Sequence, residues 1–405
     1  MADVGETTPA RLGVWLIGAR VSISTCVTYG LAGLRAGLLE PVGLVTERDP
    51  FRRLGLAAFE DMVLGGHEIA LGDLSRSAGD LVRHGILTSE LVTAASAEAA
   101  ELDARIRPGV LDLADVGRAE LDPRAASLGG VSPRERTDRL SEDIRAFRDE
   151  HALARVVVVY LASVEPWIEE RPHWKDLAAF ERALDADGVF PASSLYAYAA
   201  FQAGAAFVNF TPNRASSLPA LRQLARERGL PHCGNDGKTG ETLLKTTLAP
   251  MFAARAFRVL SWQGYNLLGN KDGEALADPV RAESKLRNKD APLRGILDEE
   301  GLHTHVSIDF VPSLHDWKTA WDFVHFEGFL GARMSLQLTW SGSDSALAAP
   351  LVLDLARWAD LALARGEAGE MAHTACYFKA PLAGGTHDFH QQFARLLAYA
   401  EKCGR

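Results

Sequence analysis

Hydrophobic and polar positions over residues 1–233 alternate between two rhythms. Residues 12–18 form a short apolar run closed by a glycine, and a helical pattern follows from about Ser22 to Gly37. Residues 42–47 (Val-Gly-Leu-Val-Thr-Glu) read as a second strand, which would open a βαβ unit with a parallel sheet. Arg155 to Ser163 is the clearest strand, because four consecutive valines at 156–159 suit a strand buried on both faces. A helix over 193–204, a strand over 205–210, a helix over 216–228 and a short strand ending near Cys233 continue the alternation. The stretch 75–150 interrupts it. That stretch is rich in Ala, Arg and Glu, with Pro108, Pro123 and Pro133 as breaks, and reads as a helical insertion over the sheet.

Beyond Gly234 the rhythm changes. Glycine-rich loops at 234–240 and 269–273 flank a helix at about 241–254. A strand over 257–263, a helix near 279–289 and two half-exposed strands over 304–311 and 331–340 follow. A long helix at about 344–365 precedes a last strand and helix within 370–405. The expected fold is α/β: a Rossmann-like doubly wound parallel sheet built from 1–233 plus 346–405, with an inserted α+β domain over 234–345.

Composition narrows the function. The 405 residues carry a net charge of -10, which argues against nonspecific nucleic-acid binding. No apolar run approaches the roughly 20 residues a membrane span needs. The first ten residues are polar and acidic, unlike a signal peptide, so a cytoplasmic enzyme is expected. Cys26, Cys233, Cys376 and Cys403 form no C-x-x-C pair, so neither a zinc ribbon nor a disulfide framework is indicated. His303 and His305 share one face of a strand, but no third ligand is evident and no metal is expected.

Lysine is scarce: 9 residues against 34 arginines. Seven of the nine lie between Lys238 and Lys379. An amine can release its proton and act as a base, whereas a guanidinium effectively cannot, so retained lysines are candidates for chemistry. The first βα turn, Gly18-Ala19-Arg20-Val21-Ser22-Ile23-Ser24, keeps only the first glycine of G-x-G-x-x-G. A pyrophosphate would sit at the helix N-terminus there, with Ser22 and Ser24 placed to cap it or donate hydroxyls.

Several loops then line up in order. Residues 161–166 (Leu-Ala-Ser-Val-Glu-Pro) resemble N-x-T/S-x-E, and 208–213 (Val-Asn-Phe-Thr-Pro-Asn) resemble N-G-S-P-Q/N. Residues 234–240 (Gly-Asn-Asp-Gly-Lys-Thr-Gly) resemble G-D-D-x-K-S/T-G, and 261–273 resemble S-Y-N-x-L-G-N-x-D-G. Ser284, Lys285 and Lys289 match S-K-x-x-x-K. Weaker echoes are 65–69 (Gly-Gly-His-Glu-Ile) and 342–345 (Gly-Ser-Asp-Ser), and Lys318 and Lys379 fall where two further lysines are wanted. The set resembles the myo-inositol-1-phosphate synthase family across essentially the whole chain.

The resemblance implies NAD as cofactor, a hexose 6-phosphate as substrate and a homotetramer, with 234–345 as the catalytic and oligomerisation domain. It implies oxidation at C5, enolisation at C6, ring closure on a carbonyl of the same molecule and re-reduction. On that reading Lys285 transfers the C5 proton with Lys379 as its partner, Lys318 stabilises the acceptor carbonyl oxygen and Lys289 binds phosphate. Asp236 and Asp344 would orient lysines and nicotinamide, with Ser163, Asn209 and Thr239 nearby. Gly18, Arg20, Val21, Ser22, Asn270 and Asp272 would complete the cofactor site, and His67 and Glu68 would reach the adenosine. Lys285 and Lys289 are four apart, so a helix would set them on one face, where crowded ammonium groups disfavour each other's protonation.

Two departures bear on function. Arg20 and Val21 stand where small residues are usual, which affects the cofactor's pose. The segment Pro312–Trp317 replaces a G-D/M-S-K type loop just before Lys318, which affects the substrate. Glucose 6-phosphate, with its aldehyde, would close a six-membered ring to myo-inositol phosphate. Fructose 6-phosphate, with its ketone, would close a five-membered ring for a carbocyclic natural product. A catalytically silent NAD-binding regulator is the alternative from another class, and the retained lysines disfavour it.

Overall fold

The computed structural model describes residues 10–111, 120–269, 293–297 and 301–404. The chain opens with strand Leu12–Ile17 (β1), helix Ser22–Arg35 (α1), strand Met62–Glu68 (β2), helices Leu74–Arg83 (α2), Ser89–Ala94 (α3) and Ser96–Arg105 (α4), and strand Ile106–Pro108 (β3). Helices Pro123–Leu128 (α5) and Pro133–Glu150 (α6) lead to strand Arg155–Tyr160 (β4). Helices Leu177–Asp185 (α7) and Ala192–Gln202 (α8), strand Ala206–Asn209 (β5), helix Pro219–Glu227 (α9) and strand Pro231–Cys233 (β6) complete the first half.

Seven strands form one sheet in the order β11-β6-β5-β4-β1-β2-β3, where β11 is Gly369–Glu370. Every pairing in it is parallel. Alternation along β1 explains the two cores. Leu12, Val14 and Leu16 face one layer with α1, while Trp15 and Ile17 face the other with α6 and α8. The chain runs outward from β1 through β2 to β3, then crosses back to lay β4 on the other side of β1. That reversal opens a crevice at the carboxyl ends of β1 and β4, where doubly wound sheets bind ligands.

A second sheet has the order β10-β9-β7-β8, from Arg258–Leu268 (β7), His303–Phe310 (β8), Trp317–Glu327 (β9) and Arg333–Ser343 (β10). It follows helix Glu241–Ala254 (α10), and its pairings are antiparallel except β7 with β8. Helix Asp344–Ala364 (α11) then packs against β4 and β5 of the first sheet, and helix Phe389–Cys403 (α12) closes the chain. The molecule is therefore a Rossmann-like parallel sheet flanked by helices, with a separate mixed sheet.

Four expectations change. Residues 42–47 are not a strand: the second strand is Met62–Glu68, and Val45–Glu47 is a 3-10 turn. The backbone N–H groups of Val45 and Thr46 donate to the buried Asp354 carboxylate (2.8 and 3.1 Å) instead of to a sheet partner. The stretch 75–150 is no insertion: α2 and α4 pack with α1 on one face, α6 packs on the other, and β3 pairs with β2. Residues 317–327, given no strand from sequence, form the long β9 between β7 and β10. The last strand spans only two residues. The helix near 279–289, with Lys285, Lys289, Asn270 and Asp272, lies outside the described residues.

Candidate active site

A cavity of about 310 Å³ lies at the carboxyl ends of β1, β2 and β4. Gly18, Arg20, Val21, Ser22, Glu68, Ser163, Asp236, Thr239, Asp344 and Lys379 all line it. Gly18 has φ of 83° and a Cβ there would meet the Ala162 backbone at 3.2 Å, so the turn needs glycine. The N–H groups of Gly18 and Ala19 donate to the His67 carbonyl (2.9 and 3.1 Å), which folds the turn against β2. Helix α1 starts after Val21 with no side-chain cap. Its first-turn N–H groups and the positive end of its dipole are thus available to an anion in the cavity.

At the end of β2 the Glu68 carboxylate accepts from the Arg20 N–H (2.9 Å) and from the N–H groups of Ile69 (2.8 Å) and Ala70 (3.1 Å). It is a fixed negative charge that suits ribose hydroxyls and opposes a phosphate ester. The Arg20 guanidinium pairs with Asp103 at 2.8 Å, so its charge is already matched within the fold. These features fit a dinucleotide: an uncapped helix start, a glycine whose Cβ would crowd the neighbouring loop, and an acid at the second strand's end.

Ser24 and His67 are both engaged within the fold. The Ser24 hydroxyl is buried and donates to the Gly18 carbonyl (2.7 Å), so it stabilises the turn and is not offered to a phosphate. His67 lines the cavity, but its ring is fully buried, with Nδ1 accepting from Trp15 Nε1 (2.9 Å) and Nε2 facing Asp143 (3.1 Å), so the ring is engaged within the fold. Burial depresses the His67 pKa and keeps the ring neutral.

The far end of the cavity carries the polar chemistry. Loop 234–240 is zipped to 377–382: Asn235 N–H donates to the Ala380 carbonyl (2.8 Å), Lys379 N–H to Asp236 (2.7 Å) and Lys238 N–H to Tyr377 (2.8 Å). Asp236 sits in the left-handed region at φ of 63°. The ladder holds Lys379 Nζ at 2.7 Å from Asp236 Oδ1, with both side chains buried. Asp236 Oδ2 is buried with no hydrogen-bond partner among the described residues. A second pair stands beside the first. Lys318 Nζ lies 3.6 Å from Asp344 Oδ1, which also accepts from the Thr239 hydroxyl (3.2 Å). Asp344 opens α11, where the helix dipole favours a carboxylate.

Asn209 is not among the cavity's lining residues. Its amide donates to the Asn213 carbonyl (2.7 Å) and Asn235 (2.8 Å), and its oxygen accepts from Thr211, so it braces the loops beneath the site. The unusual loop before Lys318 also has a structural use. The His315 ring stacks on His84 (4.3 Å), and Trp317 Nε1 donates to the His84 carbonyl (2.8 Å) at the end of α2. His303 faces Gln263 (2.9 Å) and His305 packs on Tyr265.

Two of the clustered lysines, given no particular role from sequence, are buried. Lys245, beneath the second sheet, lies 2.5 Å from Glu241 and 3.7 Å from Asp322. The i,i+4 spacing of Glu241 and Lys245 was the available signal. Lys238 is buried and donates to Gln392 Oε1 (2.7 Å), and desolvation pulls its pKa down to about 8. A depressed lysine contributes its stability above the unfolded pKa of 10.5 and loses it as pH falls through about 8. Stability should therefore rise by about 3 kcal/mol between these limits, and Lys238→Met should flatten the rise. Denaturant midpoints across that window test this, and an equal slope in both proteins would contradict it.

Residues 12–400 match the sequence profile described as Myo-inositol-1-phosphate synthase. The chain belongs to the myo-inositol-1-phosphate synthase family. It is 31% identical to inositol-3-phosphate synthase 1 of Bacteroides thetaiotaomicron, over 96% of this chain and 92% of that one. It is 32% identical to inositol-3-phosphate synthase isozyme 2 of Arabidopsis thaliana, over 73% of this chain but 57% of that longer one. Two solved structures share the fold. The Caenorhabditis elegans inositol-3-phosphate synthase has a TM-score of 0.86 at 20% identity, covering 98% of this chain and 86% of its own. A myo-inositol-1-phosphate synthase-related protein from Thermotoga maritima has a TM-score of 0.78 at 24% identity, covering 96% and 98%. The family profile is an NAD-binding one, and the cofactor of this family member is NAD. The protein is an NAD-dependent isomerase of this family. Among the described residues no helix is long and apolar enough to cross a membrane.

Proposed function

We propose that this enzyme converts a hexose 6-phosphate, specifically glucose 6-phosphate, into a myo-inositol phosphate by intramolecular aldol cyclisation. The observation that carries the reading is the meeting of two lysine–carboxylate pairs, the buried Lys379–Asp236 and the partly buried Lys318–Asp344, beside a cavity that fits a dinucleotide. NAD, when bound, supplies hydride removal and return at the substrate's C5 carbon.

The chain's own residues have separate tasks in this reading. Lys379, held by Asp236, shares the proton at the C5 oxygen with Lys285. Lys318, backed by Asp344, donates to the acceptor carbonyl oxygen as the carbon–carbon bond forms. Thr239 fixes the Asp344 carboxylate, and Lys289 takes the phosphate. The roles of Lys285 and Lys289, like those of Asn270 and Asp272 at the cofactor, rest on the sequence resemblance alone. The division 1–233 plus 346–405 for cofactor and 234–345 for catalysis and assembly belongs to the same reading.

Purified enzyme given NAD and either glucose or fructose 6-phosphate should form product with no net NADH. We expect the aldehyde sugar to be preferred by at least about tenfold in kcat/KM, because a displacement near 1 Å at a reacting centre can cost about 100-fold. Stoichiometric NADH growth would indicate a simple dehydrogenase, and turnover of fructose 6-phosphate alone would move the enzyme to five-ring chemistry.

We further read the protein as a cytoplasmic homotetramer. The outward face of the second sheet exposes Tyr265 (39%), Leu267 (37%) and Trp321 (38%), an apolar stripe suited to a second copy. Sedimentation should give a tetramer that Trp321→Asp weakens, and a wild-type monomer at micromolar concentration would refute the assembly.

A further inference from the structure

Asp316 lies immediately before β9 and is buried. Its two oxygens accept from the Ser343 hydroxyl (2.5 Å) and the Ser345 hydroxyl (2.7 Å). Those serines stand on either side of Asp344, the carboxylate that faces Lys318. Lys318 in turn follows Asp316 by two residues, and the β9–β10 ladder sets Gly342 opposite Lys318 and Ser343 opposite Trp317. Both members of the pair therefore hang from Asp316, one through the chain and one through the serines.

The surroundings hold this clamp in place. His315 and Trp317, on either side of Asp316 in sequence, grip the end of α2 through His84. Asp316 is thus held between the cofactor-side helix layer and the start of α11. Ser343 alone already caps α11 by accepting from the Ala346 N–H (3.1 Å). A helix start needs no buried aspartate behind its cap, and a carboxylate near Asp344 costs free energy through burial and like charge. Its cost is intelligible if it fixes geometry that a cap does not.

We propose that Asp316 is a positioning residue for the reaction, setting the Lys318–Asp344 pair by clamping the serines on both sides of Asp344. The inference rests on the proposed role of that pair at the acceptor carbonyl. It acts through Asp344 and does not touch substrate.

The test compares Asp316→Ala, Asp316→Asn, Ser345→Ala, Asp344→Ala and the double variant Asp316→Ala/Asp344→Ala. Asp316→Ala should lower kcat about 100-fold with KM and NAD affinity changed less than about threefold, because it displaces a reacting group without altering binding. Ser345→Ala removes one arm and leaves the cap, so about a tenfold loss is expected. The double variant should be no slower than Asp344→Ala, since groups acting through one another are not additive. A crystal structure of Asp316→Asn should show Lys318 and Asp344 moved apart, a readout that needs no turnover. If Asp316→Ala does not fold, Asp316→Asn and Ser345→Ala carry the same comparison. Losses that multiply in the double variant, kcat within threefold in Asp316→Ala, or an unmoved pair in the crystal would overturn the proposal. Wild-type kcat in Asp344→Ala would instead bring down the reading of the pair itself.

Discussion

Lys379→Ala should lower kcat by at least about 1,000-fold while NAD still binds within about threefold of wild type, the scale of a lost proton-transfer group. The amine sits in the cavity wall, 2.7 Å from Asp236, and belongs to a different loop of that wall from the turn at Gly18. Its removal takes away a proton carrier and leaves Asp236 buried and uncompensated, which costs about 3–5 kcal/mol of stability as well. Lys379→Arg separates the two effects. It keeps the positive charge beside Asp236 but holds its proton too tightly to exchange it, so stability should recover while turnover does not. Activity within tenfold of wild type in Lys379→Ala would remove this residue from the chemistry.

Asp354→Ala should produce the largest loss of stability, several kcal/mol and at least about 5 °C in the thermal midpoint. Asp354 is completely buried in α11 and accepts from the N–H groups of Val45 and Thr46, the Thr46 hydroxyl (2.5 Å) and the Tyr377 hydroxyl (3.3 Å). Burial pushes its carboxyl up to about 6, still below neutral pH, so the ionised form accepts from all four donors under ordinary conditions. Alanine would leave these donors buried without a partner, each costing about 1–3 kcal/mol. Because Tyr377 lies two residues before Lys379, activity should be lost at lower temperature than secondary structure. Calorimetry with a parallel activity decay checks both, and a midpoint within 1 °C of wild type would show that water replaces the carboxylate at little cost.

How much of this was legible in the sequence depended on range. Strand β4 was clear because Val156 to Val159 can only suit a doubly buried strand, and α1 because its apolar face recurs regularly. The scarcity of lysine pointed to Lys318 and Lys379, and short loops pointed to Asp236, Thr239 and Asp344, which gather around one cavity or its edge. Strand β2 was hidden because it contains Gly65-Gly66, which resemble a turn. The fold needs them there: a Cβ on Gly66 would come within 2.2 Å of the Leu16 carbonyl. Strand β9 was hidden because its inward positions include Lys318 and Asp322, charges that break an apolar alternation until their partners Asp344 and Lys245 are known. The Asp354 clamp joins residues 308 positions apart, and no local pattern announces such a contact. The bulk of the loop before Lys318 was visible in the sequence, but its docking on α2 through His315 and Trp317 was not, because His84 lies 233 positions before Trp317.

In the proposed reaction the enzyme closes a carbocycle from one sugar phosphate while its NAD is regenerated in place. Incubation of the enzyme with NAD and glucose 6-phosphate labelled with carbon-13 at C1 and C6 follows that bond as it forms. Carbon-13 NMR of the product should show direct one-bond coupling between the two labels, with no net change in NADH absorbance. Product in which the two labels remain uncoupled, or NADH formed in step with product, would contradict this cyclisation.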